Sequence, residues 1–91
     1  MSEIKRKRLV IHGRVQGVSF RYAIRRRADS AGVGGWVRNR SDGAVEVVLE
    51  GSAAALAEVV ELCRTGPPRA RVDDVEVTDE PAAGLTGFRI R

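Results

Sequence analysis

Along this chain the spacing of apolar residues switches between a period of two and a period of 3.6 in a set order, and few folds accept that order. Residues 6–14 alternate: Leu9, Ile11 and Gly13 take one face, and Val10, His12 and Arg14 the other. That is the pattern of a half-buried strand. Glycines punctuate the next stretch at Gly13 and Gly17. Phe20, Ile24, Ala28 and Ala31 then recur at helical spacing, with Ser19 placed as an N-cap and Gly32 as the stop. Residues 36–39 read as a second strand. Arg40-Ser41-Asp42-Gly43 reads as a hairpin turn whose strongest signal is Asp-Gly. Val45, Val47 and Leu49 alternate on a third strand. Ser52 caps a second helix with apolar positions Leu56, Val59, Val60 and Cys63, and Gly66-Pro67-Pro68 ends it. A fourth strand is expected over residues 72–77, and a short closing strand through Phe88 and Ile90.

This order, β-α-β-β-α-β with a terminal strand, predicts an α+β, ferredoxin-like βαββαβ sandwich. Two right-handed crossovers put both helices on one face of an antiparallel sheet. Strands 1 and 3 are expected at its centre, with strand 2 beside strand 3. The 91 residues fit a single domain over 1–91, large enough for one core without a disulfide or metal staple. Cys63 is the only cysteine, which excludes an intramolecular disulfide and a cysteine zinc site. An unpaired thiol suits a reducing compartment, so the chain is expected in the cytoplasm. Residues 1–8 are charged and lack an apolar stretch, and read as neither a signal peptide nor a membrane span.

The topology has a chemical consequence. Strands 1 and 2 run parallel with strand 3 between them, so their C-terminal ends share one end of the sheet. The loop after strand 1 and Asn39 at the end of strand 2 are then roughly 10 Å apart at the backbone, two inter-strand spacings. Within residues 13–21, glycines let the backbone turn its N–H groups inward as an anion nest, and the helix N-terminus adds to the attraction. Arg21 sits in the first helical turn, where a cation is unfavourable by about 0.3–1 kcal/mol unless an anion lies between it and the helix end. The formal charge of +4 also favours anionic partners. A tight strand–helix turn carrying a surface arginine fits the same residues, and they leave both readings open.

The run Gly13-Arg14-Val15-Gln16-Gly17-Val18-Ser19-Phe20-Arg21 resembles the signature loop of acylphosphatases, a family that often has Gly, Ala or Cys where Ser19 stands. Gly35-Trp36-Val37-Arg38-Asn39, followed by Asp42-Gly43 and Val45-Glu46, is similar to the same family's second motif. Gly66-Pro67, Val72 and Gly87-Phe88-Arg89-Ile90-Arg91 match its layout, so the resemblance covers all but the first few residues. It implies an enzyme that hydrolyses carboxyl-phosphate anhydrides, with Arg21 and Asn39 as catalytic residues. The backbone N–H groups of Val15, Gln16, Gly17, Val18 and Ser19, together with Arg21, would hold the phosphate. Asn39 would orient the attacking water; in this family the C-terminal carboxylate often helps hold the arginine, and whether that of Arg91 holds Arg21 is left open by the sequence.

The chemistry agrees with these roles. A transferring phosphoryl spreads charge over its equatorial oxygens, where donors stabilise it, and an amide can accept from a water and fix its direction. No His, Cys or carboxylate cluster has ligand spacing, so no metal and no cofactor is expected. The expected partners are a small acyl phosphate substrate and inorganic phosphate or sulfate as competitors. No nucleic acid and no membrane is expected as a partner, and the chain is expected to be a monomer.

Other residues carry blander expectations. His12 is placed on the face away from the helices, Cys63 in the core, and Trp36 and Tyr22 in core or rim packing. Arg25-Arg26-Arg27 reads as the solvated face of helix 1. Asp73-Asp74 points to opposite strand faces and cannot form a cation site. Two alternatives are weighed. One is a basic ferredoxin-like RNA-binding module, for which the four aromatics Phe20, Tyr22, Trp36 and Phe88 are too few. The other is an acylphosphatase-like domain processing carbamoyl phosphate, of the kind that begins large hydrogenase-maturation proteins. No acyl pocket is recognisable, so broad acyl specificity is expected.

Overall fold

Leu9 and Ile11, which share one face of the first alternating run, are both fully buried. They mark the side of the sheet on which the helices pack. The computed structural model describes residues 3–91; Met1 and Ser2, the start of the segment read as carrying no signal peptide, lie outside them. The elements are β1 (Lys5–Arg14), α1 (Phe20–Ala31), β2 (Gly34–Asn39), β3 (Val45–Gly51), α2 (Ala53–Thr65), β4 (Arg71–Glu80) and β5 (Phe88–Ile90). The sheet order is β4-β1-β3-β2-β5. The central strands and the neighbours of β3 are those the element order predicts.

The core is one cluster between sheet and helices. Leu9, Ile11, Val37, Val45, Val47, Leu49 and Phe88 come from the strands, Phe20, Ile24 and Ala28 from α1, and Leu56, Val59 and Cys63 from α2. Gly32, left-handed at φ 72°, ends α1. The Ser52 hydroxyl accepts from the Ala55 N–H at 3.2 Å and caps α2. Burial pushes the Cys63 thiol up to about 12, so it stays protonated and packs as a small apolar group.

The opposite sheet face is covered by paired charges. Arg6 bonds Glu50 at 3.0 Å and Glu80 at 2.8 Å. Arg8 joins Glu80 to Glu46, and Arg38 bonds Glu46 at 2.7 Å. These pairs explain why β4 runs to Glu80, past the expected end at 77. Residues 78–80 are polar on both faces, so alternation there is invisible, yet their carboxylates are held by lysine and arginine of β1. His12 lies on this face, 2.6 Å from Glu76. Trp36 also lies on it, half-buried between the guanidiniums of Arg8 and Arg91 at 5.6 and 4.5 Å from its ring centroid. It is not part of the helix-side core.

One feature corrects the expected architecture. The sheet is mixed, because β5 pairs parallel to β2. β4 ends at the edge beyond β1, at the end of the sheet where β2 begins. Residues 81–87 cross under that end, and the chain can only re-enter running alongside β2. The crossing is close. A Cβ on Gly34 would lie 2.3 Å from the Leu85 carbonyl oxygen, so the glycine-rich entry to β2 is the surface on which the crossover lies.

Glu50 fastens this crossover from beneath. Its carboxylate accepts the N–H groups of Ala83, Gly84 and Leu85 at 3.0, 2.9 and 3.2 Å, and Arg6 besides. Burial alone would raise its pKa, but the Ala83, Arg6, Gly84 and Leu85 donors outweigh burial and hold it below the ordinary glutamate value of 4.5. A depressed folded value means that Glu50 contributes its full stabilisation above about pH 4.5. That contribution is lost as pH falls through the lower folded value. Glu50→Gln is expected to cost about 1.5–3 kcal/mol at neutral pH, the scale of hydrogen bonds to a buried charge, and to flatten the acid limb of stability in urea melts. An acid limb identical to wild type would remove Glu50 as the anchor.

Candidate active site

The C-terminal ends of β1, β2 and β5 meet at one end of the sheet. Ile11, Val45 and Asn39 form one cross-strand row, and Ile90 pairs with Val37, two residues before Asn39. Along β2, Val37 faces the helices and Arg38 bonds Glu46 on the open face. Alternation therefore turns Asn39 toward the helix layer, where the first turn of α1 stands.

The loop from β1 to α1 has the geometry of a nest. Gly17 has φ 73° and Ser19 φ 64°, while Gln16 before them and Val18 between them stay out of the positive-φ region. Alternation of sign along consecutive residues turns successive N–H groups toward one side. Among the described residues, the N–H groups of 15–19 donate to no acceptor of the chain. Ser19 occupies the N-cap position, as expected, but makes no side-chain cap. Its left-handed backbone serves the nest, at a cost of about 1–2 kcal/mol for a residue with a Cβ. The first turn of α1 holds no acidic residue, so no carboxylate of that turn offsets its N–H groups or Arg21, which lines the cavity at this end of the sheet.

A cavity of about 340 Å³ lies at this end, lined by Val15, Gly17, Ser19, Phe20, Arg21, Tyr22, Asn39 and Ile90. It brings together Arg21, Asn39 and most of the expected loop. Gln16 and Val18 do not line it with their side chains. Val18 is buried in the core. The Gln16 amide donates to the carbonyl oxygens of Arg40 and Ala44 at 2.7 and 3.0 Å, which ties the loop to the hairpin that follows Asn39. The Asn39 Oδ1 is buried and has no hydrogen-bond partner. A buried acceptor left unpaired costs about 1–3 kcal/mol, and this one belongs to a residue that lines the cavity.

Three pocket residues escape the sequence reading of the site: Phe20, read there as an apolar position of helix 1, Tyr22 and Ile90. Tyr22, expected in packing, is 59% exposed at the mouth; its signal is adjacency to Arg21 in the first helical turn. Ile90 enters because β5 lies beside β2. The contact left open by the sequence, between Arg21 and the Arg91 carboxylate, is not among the ion pairs of the described residues. Arg21 makes no ion pair among the described residues. The Arg91 N–H bonds the Val37 carbonyl oxygen at 2.8 Å, continuing the ladder, and alternation sends its side chain across the open face onto Trp36. Among the described residues no group of three or more His, Cys, Asp or Glu could hold a metal ion, and no helix is long and apolar enough to cross a membrane.

A ferredoxin-like sandwich with a strand–loop–helix anion nest, an unpaired arginine and a free buried amide oxygen defines a small phosphate-handling protein. The acylphosphatase family model matches residues 7–90, and the chain belongs to the acylphosphatase family. The Rubrobacter xylanophilus acylphosphatase is 54% identical over 90 residues, covering 98% of this chain and 82% of the relative. That of Anaeromyxobacter dehalogenans is 49% identical over 100% of this chain and 99% of its own. The crystal structure of acylphosphatase from Bacillus subtilis superposes with a TM-score of 0.92 at 40% identity, covering 98% of this chain and 99% of that one. The chain is accordingly a hydrolase of acyl phosphates.

Proposed function

We propose that the cavity between the β1–α1 loop and β2 is where an acyl phosphate is hydrolysed to a carboxylate and inorganic phosphate. The N–H groups of Val15, Gln16, Gly17, Val18 and Ser19 hold the phosphoryl oxygens, and the Arg21 guanidinium closes over them with its two-pronged edge. Asn39 accepts a hydrogen bond from the attacking water and points its lone pair at phosphorus. The water oxygen bonds to phosphorus as the phosphorus–oxygen bond to the acyl group breaks. The electron pair leaves with the carboxylate, and the water protons pass to phosphate and solvent. A carboxylate is a good leaving group, so positioning and charge stabilisation suffice. The observation that carries this reading is the single cavity lined by Arg21, Asn39 and the nest, with the Asn39 Oδ1 buried and unpartnered beside it.

The protein is proposed to work as a cytoplasmic monomer in a single domain, a reading its one buried, protonated thiol suits. An RNA-binding role has less support, since paired charges cover the open sheet face and its one aromatic, Trp36, is occupied by two arginines.

The test is benzoyl phosphate hydrolysis, followed by absorbance in excess chelator, with acetyl and carbamoyl phosphate alongside. Activity is expected to persist without added metal, with inorganic phosphate and sulfate as competitive inhibitors. Phosphate is also expected to stabilise the fold by about 2.7 kcal/mol at a hundredfold excess over its Kd. Non-competitive inhibition with no thermal shift would move the phosphate site away from the loop. A strong preference for carbamoyl phosphate would change the substrate.

A further inference from the structure

Beside the phosphate cavity lies a second groove of about 580 Å³, and the two share Ser19 and Tyr22. Its outer wall is apolar, built by Leu62 of α2 and by Pro67 and Pro68 of the turn that follows. The Pro67 carbonyl oxygen accepts the Ala70 N–H at 2.9 Å, so this turn is closed on itself and presents a rigid wall. Arg26 lines the same groove. It stands one helical turn beyond Tyr22, and such i, i+4 pairs share a helix face. Neighbouring Arg25 lies 3.7 Å from Asp29, whereas Arg26 makes no ion pair among the described residues. Neither Asn39 nor Ile90 reaches this groove.

This placement bears on the reaction, and the inference rests on the site reading above. In phosphoryl transfer the attacking and leaving oxygens lie roughly in line through phosphorus. A water held by Asn39 attacks from the β2 side, so the acyl oxygen departs on the opposite side of the phosphoryl, where the cavity opens past Ser19 and Tyr22. From the residues and distances alone, we infer that the Tyr22–Pro67 groove is the acyl subsite, and that Arg26 makes it selective for acyl groups carrying a second anionic group. Tyr22 and the two prolines bury the carbon skeleton. Arg26 lies five positions after Arg21, about 7.5 Å of helix rise and about 140° around α1, so it meets a second anionic group only at the far end of the acyl group, past Tyr22.

The matched probes are benzoyl phosphate and 4-carboxybenzoyl phosphate, which differ only in the distal carboxylate. The readout is the ratio of their kcat/KM values in wild type, Arg26→Gln and Arg26→Glu. Arg26 is exposed on α1, and circular dichroism and thermal melts check that each variant is folded. The ratio is expected to fall roughly threefold to fivefold in Arg26→Gln, the scale of one exposed ion pair. It is expected to fall further in Arg26→Glu, to roughly a tenth, because attraction becomes repulsion. High salt should erase the wild-type preference. A ratio that is the same in all three proteins, or equal losses on both probes, would overturn the subsite. Wild-type hydrolysis of acetyl phosphate, which has no distal group, is run in parallel. Its absence would sink the site reading itself, whereas a flat ratio with acetyl phosphate hydrolysis intact sinks only the subsite.

Discussion

Arg21→Ala is expected to abolish most activity while leaving the fold as stable as before or more so. An arginine that stabilises a transferring phosphoryl contributes a factor on the order of 10³–10⁵. Arg21 lines the cavity and has no carboxylate partner among the described residues, so its charge is available to the substrate. It should touch the phosphate in both ground and transition states. The variant should therefore lose inorganic phosphate affinity as well as kcat. Arg21→Lys should recover little, since a point charge cannot reproduce two parallel N–H donors. In the ligand-free protein the same side chain opposes the α1 dipole, with no acidic residue in the first turn to offset it. Its removal should stabilise the fold by about 0.3–1 kcal/mol. Kinetics, phosphate titration and a urea melt on one preparation test all three. A variant that is less stable and inactive, but still binds phosphate normally, would make Arg21 a structural residue.

Asn39→Ala is expected to separate the two halves of the chemistry. Losing one preorganised polar group costs a factor on the order of 10²–10³ in kcat. Phosphate binding should barely change, because the nest and Arg21 hold the anion without it. Stability should not fall, since the Oδ1 removed is already buried without a partner and its deletion ends a desolvation cost of about 1–3 kcal/mol. If Asn39→Ala keeps wild-type kcat, or loses phosphate as badly as Arg21→Ala, the water is held elsewhere.

Much of this is legible in the residues. Alternation and helical spacing place Leu9, Ile11, Ile24 and Leu56 in the core because burial is what those periods encode. The strand order follows from right-handed crossovers, and that order brings the loop and Asn39 together. What escapes the sequence has physical reasons. Three residues of alternation at 88–90 carry no direction; the parallel pairing of β5 is set by where the crossover emerges, a matter of Glu50 and Gly34 far along the chain. Ser19 is a capping residue type, but its backbone is left-handed there and its hydroxyl makes no cap bond. The Gln16 amide could reach many carbonyls, and only the folded hairpin decides that it takes those of Arg40 and Ala44. Tyr22 reads as packing because exposure of an aromatic at a pocket mouth leaves no periodic trace.

The strand order also sets a schedule. β1, made first, needs β3 on one side and β4 on the other; Leu9 waits for Val77, nearly the whole chain away. Only the β2–β3 hairpin and the two helices can form from neighbours. Non-local pairings of this kind slow folding, because loop-closure entropy is lost before contacts return it. On a ribosome, the sheet cannot close until β4 has left the exit tunnel. The phosphate loop, though encoded between β1 and α1, acquires its shape only once β4 is in place.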